Sequence, residues 1–169
     1  MADLVSATGV ASASLYAAFG SKEDLFREAV GLYEAGEGGF ADRALAEEPT
    51  VHRALERLLR EAATLYTRPG RPRGCMVVVS ATTCTPENDA VRRWLAGERR
   101  ARTASIVARL RRAVADGELA QGSDAQALGD HFAVVLHGFA LQARDGVSRA
   151  RLLATIPAAL RALGARSLT

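Results

Sequence analysis

Residues 1 to 26 read MADLVSATGVASASLYAAFGSKEDLF, and this stretch decides the predicted fold. Its pattern predicts a short helix over 1–7, a turn at Gly9 and a second short helix over 12–18, capped by Ser12. Glycine suits the turn because a side chain would obstruct the backbone there. Two short helices joined in this way form a helix-turn-helix, whose second helix is the element that enters the major groove of DNA. An ordinary helical corner would give the same pattern, so the turn alone leaves both interpretations open.

The two short helices carry few apolar residues, and we expect these to form a small core. The first helix is predicted to bury Leu4 and Ala7, and the second Leu15 and Phe19. A third helix follows at once, because Ser21 and the acidic residue three positions later form the pattern of a capping box.

Start and stop signals divide the whole chain into about eight helices. Thr50, Ser123 and Ser148 are predicted to cap later helices, and glycine-rich or proline-rich stretches end them. The predicted limits are 1–7, 12–18, 21–36, 50–66, 74–83, 86–116, 123–145 and 148–164. The fold class is therefore all-α, with an N-terminal helix-turn-helix followed by a bundle of longer helices.

Composition excludes several classes of protein. Hydrophobic residues make up 49% of the 169 residues and charged residues 24%, which is typical of a globular chain and not of a disordered one. No apolar run approaches the roughly 20 residues that a membrane-spanning helix needs. Asp3 follows Met1 too closely for a secretory signal. We therefore expect a cytoplasmic protein that makes no contact with a membrane.

The positive charge is unevenly distributed along the chain. A net charge of +3 and a pI of about 9.3 favour a polyanionic partner. Residues 1–50, however, contain three basic and nine acidic residues, a net charge of −6, so the remainder carries +9. Much of the excess lies between Arg92 and Arg112, where eight arginines accompany Glu98 alone. We interpret this stretch as the solvated face of a long helix rather than as a nucleic-acid stripe.

The order of residues around the turn is more specific than the turn itself. Gly9-Val10 is followed by Leu15-Tyr16, by Phe19 and by the helix start Ser21-Lys22-Glu23-Asp24-Leu25. This combination resembles the DNA-binding domain of tetracycline-repressor-type (TetR family) transcriptional regulators. The close match covers residues 1 to about 34. Beyond it, the resemblance rests on the helix pattern and on the ending 142–146 of the penultimate helix.

The resemblance implies a function and a role for particular residues. It implies a homodimeric regulator, a repressor, that binds a palindromic operator in double-stranded DNA and is released by a small apolar or amphipathic ligand. By position, Ser12, Ala13 and Ser14 would face base edges, while Tyr16 and Lys22 would contact phosphates. Residues 1–38 would form the DNA-binding domain and residues 39–169 the ligand-binding and dimerisation domain.

The chain departs from the family pattern in two places. Members of the family have a full helix before the point at which this chain begins, so we expect the DNA-binding domain to be truncated or the chain to belong to a longer protein. Residues 1–30 carry two basic and four acidic residues, a net charge of −2, as expected if a basic first helix is absent. Val5 also stands where helix-turn-helix motifs usually have a small residue. A second interpretation is therefore a helical ligand-binding dimer that no longer binds DNA.

The long helices supply candidates for a pocket and a dimer interface. The predicted ligand pocket combines apolar and aromatic walls with a few polar groups: Leu59, Tyr66, Met76, Val79, Thr83, Trp94, His131 and Phe132. The predicted dimer interface lies on the last two helices, where apolar residues recur at helical spacing: Val135, Leu136, Phe139, Leu153, Ile156 and Leu160. Packing within one core would explain each of these residues equally well.

No motif for catalysis or metal binding appears in the sequence. Cys75 and Cys84 are predicted on opposite sides of one helix, where they cannot form a disulfide. His52, His131 and His137 do not have the spacing of a zinc site. Phosphate-binding loops, nucleophile elbows and paired carboxylates are also lacking. We therefore expect neither an enzyme nor a cofactor.

Overall fold

The computed structural model describes residues 1–80 and 88–164 of the chain, and these residues are almost entirely helical. The α-helices are α1 (Ala2–Thr8), α2 (Ser12–Phe19), α3 (Lys22–Ala35), α4 (Phe40–Glu47), α5 (Val51–Tyr66), α6 (Met76–Val79), α7 (Asp89–Ala115), α8 (Ala125–Arg144) and α9 (Arg149–Leu160). Short 3-10 turns occupy Glu37–Gly39 and Arg161–Leu163. The predicted all-α architecture is confirmed.

Helices α1 and α2 form the predicted helix-turn-helix around Gly9. This glycine ends α1 with φ 69°, and its N–H donates to the Val5 carbonyl at 2.9 Å. The Thr8 hydroxyl strengthens the turn, because it donates to the Leu4 carbonyl and accepts from the N–H of Val10. Local hydrogen bonds therefore fix the angle between the two helices.

The small core of this motif is thinner than the sequence predicted. Leu15 is buried, but Leu4 and Phe19 are half-buried and Ala7 is exposed. The prediction of a Ser12 cap was also wrong, because the helix begins at that serine and Ala11 is the N-cap. Alanine has no side-chain acceptor, so this helix start has no side-chain cap.

Helix α3 begins as predicted and connects the motif to the rest of the molecule. The Ser21 hydroxyl accepts from the Asp24 N–H at 3.0 Å and donates to its carboxylate at 2.6 Å. Further along, the Phe26 ring meets Trp94 of α7 edge-on at 6.2 Å, and the Arg27 guanidinium lies 4.6 Å from the same indole ring. The junction between α3 and α7 is therefore aromatic and cationic.

Helix α4 was missed by the sequence interpretation, which treated the glycines after α3 as the start of a loop. The chain instead passes through a 3-10 turn directly into α4. Phe40, Ala41, Ala44 and Leu45 are all buried. Their spacing is that of one helical face, so the pattern was present but only eight residues long.

Helix α5 lies at the centre of the bundle. It packs against α4, α7, α8 and α9, and eight of its residues are buried. They recur at the period of a helix: Val51, Ala54, Leu55, Leu58, Leu59, Ala62, Ala63 and Tyr66. The alanines allow close approach of neighbouring helices, and the leucines fill the space between them.

Two of the later helix boundaries differ from the prediction. Thr50 and Ser148 cap α5 and α9 as expected, but Asp124, not Ser123, accepts the N–H groups that start α8. The helix predicted over 74–83 is short: α6 begins at Met76 and ends at Val79, and the residues from 81 to 87, with Cys84, lie outside the described part.

The arginines of α7 were predicted to form a solvated face, and three of them do not. Arg109 is buried and pairs with Glu118 at 3.0 Å. Arg102 reaches Asp42 of α4, and Arg99 donates to the Val77 carbonyl at 2.8 Å. These three side chains tie α7 to other parts of the bundle. Within residues 1–80 and 88–164, no helix combines the length and apolar character needed to cross a membrane.

Candidate nucleic-acid interface and cavities

The first turn of α2 presents small polar side chains to solvent. Leu15 anchors the helix from beneath, while Ala13 and Ser14 are exposed and Ser12 is half-buried. Tyr16 follows with 44% of its surface exposed. A helix whose N-terminal turn is exposed and free of bulky side chains can approach base edges closely in a major groove.

Lys22 is the exposed cation that follows α2 in the chain. It is exposed at the start of α3, where the N–H groups of a helix N-terminus also favour an anion. Arg27, the other basic residue of positions 1–30, pairs with Glu23 at 2.6 Å and stacks on Trp94, so it faces the bundle. Lys22 is therefore the basic group of this region that remains available to a phosphate.

A small cavity, here called the inner cavity, lies where α3, α4, α5, α6, α7 and α8 meet. Its volume of about 30 Å³ has room for water but not for an organic molecule. Its walls are unusually polar for a core: Tyr33, Glu34, Tyr66, Cys75, Glu98, Arg99, Arg102 and His137. The Tyr33 hydroxyl donates to the Cys75 sulfur at 3.6 Å.

Burial perturbs the titrating groups around the inner cavity. It raises the pKa of Tyr33 and of Tyr66 well above the usual value for tyrosine, and the nearby Cys75 adds to both shifts. Burial also raises the pKa of Glu34, assisted by Glu98 and opposed by Arg102. For His137, burial and the neighbouring Arg99 lower the pKa. Each of these groups is therefore shifted toward its neutral form.

A second cavity, here called the outer cavity, adjoins the first at Tyr33 and Cys75. Its volume of about 410 Å³ is within the range of small-molecule pockets. The loop from α5 to α6, together with α3, α6 and the end of α8, forms its walls. Its apolar part includes Leu65, Pro72, Met76 and Val79. Its polar part includes Glu37, Ser80 and four arginines: Arg68, Arg71, Arg73 and Arg144.

A third feature is an apolar face on α8 and α9. Val134 is 70% exposed and Leu141 is 54% exposed, and their separation of seven residues places them on one side of α8. A groove of about 480 Å³ runs beside them between the two helices, lined in part by Val135, Gly138 and Ala158. Exposed apolar surface of this kind is typical of an interaction site.

Family comparisons agree with both halves of this arrangement. The family model described as "Tetracyclin repressor-like, C-terminal domain" matches residues 50–162. The model described as "Bacterial regulatory proteins, tetR family" matches residues 1–29. The chain belongs to the TetR family of transcriptional regulators. Members of this family are DNA-binding transcription factors and not enzymes.

Individual relatives within the TetR family support the same assignment. The HTH-type transcriptional repressor ComR of Escherichia coli (strain K12) is 28% identical over 154 residues, which are 90% of this chain and 73% of that protein. The HTH-type transcriptional repressor BdcR of the same organism is 30% identical over 157 residues, 92% of this chain and 74% of that protein. A cysteine-substituted TetR family regulator, CifR, solved with 26-bp double-strand operator DNA, has a TM-score of 0.91 and 43% identity, covering 95% of this chain and 84% of that chain.

The residues predicted to form one ligand pocket lie in several places in this TetR-type fold. Tyr66 lines the inner cavity, and Met76 and Val79 line the outer cavity. Leu59 and Phe132 are fully buried in the core, and Trp94 lies at the junction with α3. His131 is exposed and lines the groove between α8 and α9, and Thr83 lies outside the described residues.

The residues predicted for the dimer interface lie mostly inside one protomer. Leu136, Phe139, Ile156 and Leu160 are buried in the bundle core, whereas Val135 and Leu153 are half-buried. Val134 and Leu141, which the sequence interpretation left out, are the large apolar side chains of α8 that face outward. Periodicity alone did not distinguish the buried side of each helix from the side that faces out.

Sequence reasoning also missed the charged residues of both cavities. Arg99 and Arg102 lie in the stretch that had been assigned to solvent, and Glu34 of α3 had not been considered. The three arginines between Arg68 and Arg73 had been noted only as part of a loop. One signal was available for them: this loop contains three arginines and no acidic residue.

Proposed function

We propose that this TetR family regulator is a homodimeric repressor that binds a palindromic operator and is released by a small molecule. One observation carries the DNA-binding part. The N-terminal turn of α2 is exposed, and Lys22, which follows this helix at the start of α3, is the available basic residue of a region that otherwise carries excess negative charge. The match of residues 1–29 to the family's DNA-binding model supports this function over a dimer that has lost DNA binding. A regulator of this kind acts in the cytoplasm.

The chain divides between the two activities near the break after α3. Residues 1–38 form the DNA-binding domain, and residues 39–169 form the ligand-binding and dimerisation domain. Supporting this division, Gly36 ends α3 and Phe40 begins α4, the first helix with several buried residues. Helix α3 belongs to the first part but reaches the second through Val30, which is fully buried in the bundle core.

Different residues contact the bases and the phosphates of the operator. Ser12, Ala13 and Ser14 face base edges, where a serine hydroxyl can bond to several bases and the alanine methyl can contact a thymine methyl. Tyr16 and Lys22 contact phosphates and fix the orientation of α2 in the groove. Because no long side chain of α2 reads a base pair bidentately, discrimination per base is modest and DNA shape contributes.

Release by a ligand depends on the helix that joins the two sites. Helix α3 has Lys22 at its start and Tyr33 at its end, and it spans about 20 Å. Tyr33 lines the outer cavity, so an effector bound there contacts the helix that carries the phosphate-binding lysine. An effector that binds one orientation of α3 more tightly shifts the population toward that orientation and alters the spacing of the two recognition helices.

Dimerisation uses the outward face of α8 and α9. Val134 and Leu141 supply apolar surface, with Val135 and Leu153 at the edge of the interface. The small exposed residues of α9, such as Ala154 and Ala158, allow a second copy to approach closely. Two copies related by a twofold axis form a four-helix arrangement and present two recognition helices about 34 Å apart.

Substitution of Lys22 by alanine tests the DNA-binding surface. DNA is first selected from a random duplex library by the full chain, and its affinity is then measured by fluorescence anisotropy over a range of salt concentrations. We expect Lys22→Ala to weaken binding about tenfold and to lower the slope of log affinity against log salt by about two, one for each protomer. Arg112→Ala, which removes an exposed arginine from the far end of α7, is the control and should change neither quantity. An unaltered slope in the Lys22 variant would contradict the proposed contact.

A glutamate at position 134 tests the dimer interface. Val134→Glu places two like charges in an apolar interface, so we expect the dimer dissociation constant in analytical ultracentrifugation to rise at least about tenfold. Because Val134 is mostly exposed, the folded protomer should retain its stability. Ala46→Glu, at an exposed position of α4, is the matched control. A variant as dimeric as the wild type would exclude this face as the interface.

A further inference from the structure

The outer cavity brings several arginines without an ion-pair partner to one place. Other arginines of the bundle are neutralised, such as Arg109 by Glu118, Arg102 by Asp42, and Arg57 by three glutamates. At the outer cavity, Glu37 pairs with Arg68 at 2.8 Å. Among the described residues, Arg71, Arg73 and Arg144 have no carboxylate within ion-pair distance. Within the described part of the chain, three arginines without an ion-pair partner therefore line one cavity.

The arginines come from two elements that are held together rigidly. Gly74 has φ 94°, and a Cβ there would lie 2.9 Å from the Ala140 carbonyl oxygen, so the loop is pressed against α8. The N–H of Gly74 donates to the Tyr66 carbonyl at 3.0 Å, and Arg73 donates to the Val147 carbonyl at 3.4 Å. The loop and the end of α8, with Arg144, therefore keep their relative position without a ligand.

The other wall of the cavity is apolar. Leu65, Met76 and Val79 line the same cavity as the arginines, and the volume of about 410 Å³ is large enough for an organic molecule. We propose that the outer cavity binds an amphipathic anion, a carboxylate on an apolar body, with Arg71, Arg73 and Arg144 holding the carboxylate. Guanidinium groups suit this role because their N–H donors match the two oxygens of a carboxylate.

This inference names the chemical class of effector and so rests on the proposed release by a ligand. The apolar body lies against Met76 and Val79 and extends toward Tyr33 and Cys75, where the outer and inner cavities meet. A neutral molecule of the same shape would make the apolar contacts alone. A cation of the same shape would also be repelled by the arginines.

The test compares two probes of equal chain length with the full chain in the absence of DNA. Decanoate is ionised at pH 7.5 and decan-1-ol is neutral, and isothermal titration calorimetry gives the dissociation constant of each. We expect decanoate to bind about tenfold more tightly than decan-1-ol, and the difference to shrink at high salt. Equal affinities, or failure of decanoate to bind, would overturn the proposal.

Two double variants test which arginines cause the difference in affinity between decanoate and decan-1-ol. In the double variant Arg71→Gln/Arg144→Gln, decanoate should lose about tenfold in affinity while decan-1-ol is unaffected. Both side chains are exposed, so the melting temperature should equal that of the wild type. The double variant Arg100→Gln/Arg112→Gln removes the same charge from exposed positions on α7 and should bind both probes as the wild type does. If the first double variant retains full affinity for decanoate, the assignment is wrong.

Operator release is measured separately, by adding decanoate to the protein–DNA complex in fluorescence anisotropy. Binding that depends on Arg71 and Arg144 supports the anion site whether or not DNA is released. Such binding without release contradicts the role of this site in the proposed repressor function. The two proposals therefore fail through different measurements.

Discussion

The DNA-binding helices and the helical bundle are built in opposite ways. In α1, α2 and α3, the buried residues are Leu15 and Val30, and α1 has none. Helix α5 alone buries eight. Local hydrogen bonds and caps determine the shape of the first region, whereas apolar burial determines that of the second.

The difference follows from what each region does. A recognition helix must expose its first turns, so residues such as Ala13 and Ser14 cannot contribute to a core. The region obtains its order from the Gly9 turn, from the Ser21 capping box and from docking against the bundle. Docking involves Val30 in the core and Phe26 against Trp94. A region that depends on docking can also be moved by a change in the bundle.

The largest expected effect is the loss of a leucine from the centre of the bundle. Leu58→Ala removes a fully buried side chain from α5, and we expect the free energy of unfolding to fall by about 3 kcal/mol in urea denaturation followed by circular dichroism. Leu4→Ala is the matched change in α1, where the side chain is only half-buried. It should cost less than about 1 kcal/mol, because α1 has no fully buried residue and truncation there leaves no enclosed cavity.

Equal losses in the free energy of unfolding of these two variants would contradict the proposed difference between the two regions. They would mean that α1 contributes a core as well packed as that of α5. Leu4→Ala could instead lower operator affinity without changing the free energy of unfolding. Such a result would show that the first helix positions α2 for DNA binding and contributes little to stability.

The sequence predicted the first region well because its rules are local. The glycine at position 9 and the serine at position 21 act on backbone groups within four residues, so their effects can be inferred without knowing the rest of the fold. What failed there was the Ser12 cap, misplaced by one residue, and the extent of burial. Leu4 and Ala7 were assigned to a core from periodicity, although periodicity does not tell whether a partner surface covers the helix.

The bundle was harder to predict because packing between helices determines which face of each helix is buried. Phe139 and Ile156 have the spacing expected of a dimer interface, yet they lie inside the protomer, and the exposed face carries Val134 and Leu141. Both assignments satisfy the same helical period. Leu59 and Phe132 were likewise indistinguishable from pocket residues, because an apolar side chain can line either a core or a cavity.

The charged residues illustrate a different limit. Arginine is nearly the sole basic residue of the chain, which made an arginine look like a default surface group. Arg109 is instead 7% exposed, and its partner Glu118 also accepts the N–H of Val51 at the start of α5. Only the fold reveals that these distant positions meet.

Removal of one arginine from each region extends the comparison to ion pairs. Arg109→Gln leaves the Glu118 carboxylate, which is 20% exposed, without its partner. We expect this to lower the free energy of unfolding by about 2 kcal/mol. Arg27→Gln removes the ion pair with Glu23 and the contact with Trp94. Both side chains of this ion pair are more than a third exposed. It should cost less than about 1 kcal/mol, because solvent screens such pairs.

For DNA binding we expect the reverse order of effects. Arg27→Gln should weaken operator affinity, and Arg109→Gln should leave it unchanged. Arg27 lies at the junction between α3 and α7, so its loss should loosen the docking of the recognition helix and weaken operator affinity more than it weakens the fold. Arg109 lies far along α7 from Trp94, and its loss should leave the affinity of the folded protein for the operator unchanged. If Arg109→Gln weakened operator binding under conditions where the protein is fully folded, the separation between a region that stabilises and a region that reads DNA would not hold.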